Sequence, residues 1–186
     1  MKALLLLALA AITNPNVRVT DVTGTERQPL KPARGETSAI FFVSHDCPIS
    51  NYYAQEIRRI CEQYGDKGLR CSLVYVDPTF TNAAAAKHAE EYAHGPYPRI
   101  VDRTHALVTA TRATVTPQVF VIRDDKSVAY NGRIDDFYVA LGKKRRIVTE
   151  RDLRDALDAV FSGKTVAKPE SKPVGCFIPD LAAFGK

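Results

Sequence analysis

Apolar positions recur along this chain with two different periods. Val17 to Val22 (VRVTDV) alternates apolar and polar residues and predicts a first strand, broken at Gly24. Ala39 to Val43 is a continuous apolar, β-branched and aromatic run, the pattern of a short strand buried on both faces. From Pro48 the period lengthens to that of a helix. Tyr53, Ile57, Ile60, Cys61 and Tyr64 share one face, while Glu56, Arg58, Arg59 and Glu62 face away. Gly65 and Gly68 stop the helix, and Leu69 to Asp77 is a second strong strand. Strand, helix and strand then form a βαβ unit whose two strands are parallel.

The remaining elements follow in order. Asn82 to His94 is alanine-rich and predicts a helix capped by Thr81 or Asn82, ended by Gly95, Pro96 and Pro98. A short strand through Ile100 and Val101 precedes a helix from about Thr104 to Ala113. Thr114 to Ile122 (TVTPQVFVI) is a strand with a proline at its start, where a missing N–H does least harm. Ser127 to Arg133 returns antiparallel to it. A last helix starts at Thr149, with Leu153, Ala156, Leu157 and Val160 on its apolar face, and Gly163 ends it. Residues 164–186 form a proline-punctuated tail whose apolar Gly175 to Pro179 (GCFIP) predicts packing back onto the domain.

The chemistry concentrates where the first strong strand turns into its helix. Cys47 stands in the polar turn His45-Asp46-Cys47, directly before Pro48 at the first helical position. Unpaired N–H groups and the positive end of the helix dipole favour a thiolate there, so Cys47 is a candidate nucleophile. The bland alternative, a small buried apolar residue, fits a polar turn poorly.

Composition narrows the class. The 186 residues, 45% hydrophobic and 25% charged, suit one globular domain with a full core. The net charge of +5 is spread among acidic residues except at Lys143 to Arg146 (KKRR), read as a solvated loop beside a helix. No interleaving of basic and aromatic residues points to nucleic acid. Lys2 followed by an apolar run from Ala3 to Ile12, with Ala8-Leu9-Ala10 as a small-x-small site, has the order of a secretory signal. Residues 1–16 are thus a signal-like segment ahead of a domain over 17–163, and the run is too short to span a bilayer. Export is the expected destination, periplasmic or extracellular, with disulfides permitted. A retained N-terminal segment would be the sole membrane attachment.

A βαβ unit with a cysteine at the strand-to-helix turn, then a helix and a ββα end opened by Thr116-Pro117, resembles the thioredoxin superfamily. FFVSHDCPIS at Phe41 to Ser50, YNGRIDD at Tyr130 to Asp136 and GCFIP make the chain similar to its peroxiredoxin-like redoxin group. The resemblance implies a thioredoxin-like α/β fold with a central mixed sheet and flanking helices. It also implies a cis Thr116–Pro117 bond beside Cys47. Ser44 stands where a peroxiredoxin carries a Thr or Ser three residues before its cysteine. Ser50 stands where a thioredoxin-type dithiol has its second cysteine, so a local CxxC is absent.

The four cysteines allow three pairings. Cys61 and Cys71 can be neighbours in the βαβ unit, as a structural disulfide or as two buried thiols. Cys176 is then either a resolving cysteine brought from the tail to Cys47 or an anchor for the tail. The implied activity is that of a thiol oxidoreductase. Cys47 attacks a hydroperoxide or a substrate disulfide, Cys176 resolves the adduct, and an external thiol, either a thioredoxin-like protein or a small thiol, restores the dithiol. Ser44 and Ser50 would supply hydroxyl donors to the thiolate, and Thr116 and Pro117 would hold substrate near the sulfur. No cofactor is implied. A non-catalytic binding module or a metal-binding chaperone is the competing class, but the chain lacks a close cysteine pair. His45 is a candidate base, and His88, His94 and His105 are read as surface residues.

Overall fold

The computed structural model describes residues 12–183. The signal-like run from Ala3 lies outside them except for Ile12. The first half of the chain forms β1 (Val19–Thr20), β2 (Glu26–Arg27), β3 (Thr37–Val43), α1 (Pro48–Gly65), β4 (Leu69–Tyr75), α2 (Asn82–Glu91) and β5 (Arg99–Val101). The second half forms α3 (Ala106–Thr111), β6 (Val115–Thr116), β7 (Gln118–Arg123) and β8 (Val128–Gly132). It continues with β9 (Tyr138–Ala140), β10 (Lys143–Lys144), α4 (Asp152–Phe161), β11 (Cys176–Phe177) and a 3-10 turn at Leu181–Ala183. No helix among the described residues is long and apolar enough to cross a membrane.

Five strands make the central sheet in the order β5-β4-β3-β7-β8. β3 runs parallel to β4 and antiparallel to β7, so the sheet is mixed. β3 is its middle strand and all of its residues are buried. Because side chains alternate across a strand, Ala39, Phe41 and Val43 enter one core with α1 and α4. Ile40 and Phe42 enter the other, which α3 covers through Leu107 and Ala110. Losing a fully buried ring such as Phe41 would cost about 3–5 kcal/mol, so this strand is a rigid base for whatever follows it.

Several elements are shorter than their patterns predict, because buried carboxylates take up the backbone donors at their ends. Asp21 accepts from the N–H groups of Thr23 and Thr25, turning the chain after Thr20. Asp102 accepts from Leu107 and Val108 N–H and sets the start of α3. Asp136 accepts from Thr149 and Glu150 N–H, which delays α4 to Asp152. Lys143 to Arg146 is not simply a loop. Lys143 and Lys144 pair with β9, and Arg145 ion-pairs with buried Asp136 at 2.9 Å.

The three histidines read as surface residues are instead buried, with His94 fully so. His88 lies 3.1 Å from both the Tyr75 hydroxyl and the Asn51 amide oxygen, and His105 Nε2 lies 2.7 Å from the Val76 carbonyl. Each ring offers apolar faces to the core and nitrogens to nearby polar groups, so burial costs little. His94 is different, since neither of its ring nitrogens has a hydrogen-bond partner among the described residues. Burial, with the charges of His88 and Arg99, holds it neutral with a pKa of about 4.

Candidate active site

Cys47 caps α1 with extended backbone, φ −87° and ψ 110°, and Pro48 occupies the first turn. Its own N–H donates to the Ser44 carbonyl and its carbonyl accepts from Asn51 N–H, so the strand-to-helix turn is closed on both sides. The Cys47 side chain lies against β6. In the neutral form its thiol donates to the Thr116 carbonyl at 3.1 Å. The Thr116–Pro117 peptide bond beside it is cis.

The tail completes the site. Pro169 and Ser171 bond to the backbone of Asn131 on β8, and the chain then crosses to β6, where β11 pairs antiparallel with Cys176 opposite Thr116. Ile178 N–H donates to the Thr114 carbonyl and extends this ladder. The approach is close: a Cβ at Gly175 would lie 1.9 Å from the Thr116 carbonyl oxygen, so only glycine fits there. Cys47 and Cys176 are both free, and Cys61 and Cys71 form a disulfide between α1 and β4.

The electrostatics divide the two free thiols. Burial works to raise the Cys47 pKa, yet the Cys176 thiol, the Ser50 N–H, the Thr116 hydroxyl and the Cys176 N–H together bring it below the ordinary thiol value. The contact with the Thr116 carbonyl favours the neutral thiol and competes with these donors. The Thr116 hydroxyl is buried without a hydrogen-bond partner among the described residues, which leaves it free for the anion. Cys176 goes the other way. Burial, its hydrogen bond to Cys47 and the charges of Cys47 and Asp46 push it up to about 12. When the pair loses one proton, these contacts favour keeping the other on Cys176 and the negative charge on Cys47.

The other expected site residues are placed differently. The Ser44 hydroxyl donates to Asp46 at 2.5 Å, so it serves the carboxylate and not the sulfur. Ser50 acts through its backbone N–H, while its hydroxyl accepts weakly from Ser44 N–H at 3.4 Å. The His45 ring stacks on Phe80 at 4.2 Å and makes no hydrogen bond to Cys47 among the described residues. Among these residues no group of three or more His, Cys, Asp or Glu is arranged to hold a metal ion.

The Redoxin family model matches residues 11–137, more than half of the chain. The chain belongs to the Redoxin family. Solved structures agree on the fold. An uncharacterized conserved protein from Geobacillus kaustophilus superposes with a TM-score of 0.75 at 24% identity, covering 93% of this redoxin and 94% of that chain. A hypothetical protein from Sinorhizobium meliloti gives 0.76 at 24% identity, covering 92% and 94%. A secreted disulfide oxidoreductase of Mycobacterium tuberculosis gives 0.51 at 13% identity, covering 61% and 80%. No curated protein matches. The redoxin is thus a thioredoxin-superfamily protein with a central mixed sheet. Sequence reasoning missed Asp46 as the acceptor for Ser44 and Gly175 as the residue that lets the tail approach. The Ser-x-Asp spacing at Ser44 to Asp46 was a usable signal for the first; nothing local signalled the second.

Proposed function

We propose that this thiol oxidoreductase works by thiol–disulfide exchange, with Cys47 and Cys176 closing and opening one disulfide in each cycle. The observation that carries the reading is the β11–β6 pairing, which sets Cys176 opposite the residue whose carbonyl contacts Cys47. In the oxidising direction a substrate disulfide breaks, one bond forms between the Cys47 and Cys176 sulfurs, and the two substrate sulfurs leave as thiols. An external thiol reverses the change. The Ser50 N–H and the Thr116 hydroxyl stabilise the Cys47 thiolate, Pro117 and Thr116 form the wall against which the sulfurs meet, and Ser44 orients Asp46.

Disulfide exchange is favoured over peroxide reduction because Cys47 is fully buried in this arrangement. A hydroperoxide must bring its oxygen to that sulfur, whereas exchange has a second sulfur, on Cys176, at which to begin. Export belongs to the same proposal, since a bonded Cys61–Cys71 suits an oxidising compartment. The test is exchange between a peptide disulfide and a small thiol, followed with the full chain and with Cys47→Ser. Acceleration by the wild-type chain that disappears in the variant supports the reading. Acceleration that survives the substitution, or that appears with hydrogen peroxide but not with disulfides, contradicts it.

A further inference from the structure

The two sulfurs of the proposed pair face different surroundings. Cys47 is 0% exposed and belongs to the core cluster shared by α1 and the sheet. Cys176 is partly exposed and lines a small cavity of about 150 Å³ together with Asp46, Asp77, Thr116, Phe177 and Pro179. Cys47 is not among the residues lining that cavity. The lining carries two carboxylates and no lysine, arginine or histidine.

Exchange requires an incoming sulfur to approach the attacked sulfur from the side away from its partner, so access decides which of two bonded sulfurs is attacked. We propose that, in the Cys47–Cys176 disulfide, external thiols attack Cys176 through this acidic cavity, and that thiols bearing a positive charge enter in preference to anionic ones. This rests on the redox-pair reading above and assigns its two cysteines distinct roles: Cys176 meets the substrate and Cys47 is the internal partner.

The step balances. An incoming thiolate forms a bond to the Cys176 sulfur, the Cys47–Cys176 bond breaks, and its electron pair leaves on Cys47. That charge arrives where the Ser50 N–H and the Thr116 hydroxyl receive it. A second thiol, or the second sulfur of a dithiol, then attacks the incoming sulfur, and Cys176 leaves with a proton. The products are the reduced pair and an external disulfide. Leaving-group order points the same way. A thiolate leaving as Cys47 meets the Ser50 N–H and the Thr116 hydroxyl, whereas one leaving as Cys176 would face the like charge of Asp46, and the better-stabilised thiolate departs faster. In the oxidising direction the same path runs backwards. Cys176 attacks the substrate disulfide while the Cys47 thiolate takes its proton, and the first substrate sulfur leaves and takes that proton from Cys47. The Cys47 thiolate then attacks the Cys176 sulfur, closing the internal bond and releasing the second substrate sulfur.

Charge at the cavity sets the class of thiol. Asp46 acts on the Cys176 sulfur as a like charge, and Asp77 stands on the same lining. Within a Debye length of about 10 Å at moderate salt, two fixed negative charges attract a cationic thiol and repel an anionic one. A cysteine flanked by lysine or arginine in a peptide has the favoured character.

The test uses the full chain, oxidised until peptide mapping finds Cys47 bonded to Cys176. The oxidised chain is mixed with 2-aminoethanethiol, quenched in acid at early times and mapped for the mixed disulfide. Opening rates with 2-aminoethanethiol and with 2-mercaptoethanesulfonate are then compared per thiolate at low and high salt. The expected adduct is on Cys176, and the cationic thiol is expected to be about tenfold faster at low salt. That advantage should shrink in high salt and in Asp77→Asn, whose amide can still accept the Thr79 hydrogen bonds that Asp77 accepts. An adduct on Cys47, or equal rates for the two thiols at low salt, overturns the proposal. If the Cys47–Cys176 disulfide never forms, the redox-pair reading itself fails, and this is seen before any thiol is added.

Discussion

The redoxin holds two pairs of cysteines, and they differ in almost every physical respect except element type. Each pair joins a residue of the α1 region to a residue on a strand. Cys61 and Cys71 sit 10 residues apart within one βαβ unit, both buried, and they are bonded. Cys47, at the start of α1, and Cys176, in the tail beyond the last helix, are free. The first pair is held by α1, 18 residues long, and by β4, a largely buried strand of the central sheet. The second depends on a tail strand of two residues, held by its pairing with β6 and permitted by the close backbone approach at Gly175. A bond suits the first as a brace. The second has the features of a bond meant to open: an N-terminal helix position, donors aimed at one sulfur and an exposed face on the other.

The contrast can be broken most severely at Cys47. Cys47→Ser should lower exchange by about a hundredfold or more, because the serine hydroxyl is not ionised near neutral pH and cannot take part in sulfur exchange. A peptide-disulfide assay measures this, with circular dichroism expected to be unchanged. Next comes Gly175→Ala, where the added methyl would collide with the Thr116 carbonyl. Formation of the Cys47–Cys176 bond should slow by about tenfold, and overpacking should cost about 1–3 kcal/mol, read by denaturant melting.

The brace should respond in the opposite sense. Replacing Cys61 and Cys71 together by serine should cost about 2–3 kcal/mol, the loop-closure value for a bridge spanning ten residues, plus the penalty of two buried hydroxyls. Exchange measured well below the melting temperature should stay within about twofold of wild type. A large loss of exchange with unchanged stability would reverse the roles of the two pairs. The smallest effect is expected at Thr116→Val. This removes a donor to the Cys47 thiolate, so the pKa of Cys47 should rise toward the ordinary thiol value of 9.0. Thiolate absorbance followed against pH reads the shift, and a midpoint that moves down would exclude the hydroxyl as a donor.

Much of the fold was legible because its signals are local. The apolar run Ala39 to Val43, the helical period from Tyr53 to Tyr64 and the strand from Leu69 each report their own element, and the βαβ unit follows from their order. Cys47 was legible for the same reason, since a turn, a proline and a helix are adjacent in sequence. Its partner was not settled by local signals. Cys176 is 129 positions away (176 − 47), and only the crossing of the tail from β8 to β6 brings the two together. His88 is not marked as inward by the sequence, because α2 is rich in alanine and has weak amphipathic contrast. Hydroxyl roles were the least legible. Ser44 and Thr116 both stand beside Cys47, but the side-chain direction that gives one to Asp46 and leaves the other for the thiolate depends on three-dimensional packing.

The most direct test of the redox pair is peptide mapping of the full chain after equilibration in a series of thiol–disulfide buffers. The assignment predicts a Cys47–Cys176 disulfide that appears and disappears across the series while Cys61–Cys71 stays bonded through the range where it does so. A Cys47 that remains an unpaired thiol in the most oxidising buffer, or a Cys61–Cys71 bond that opens first, would contradict it.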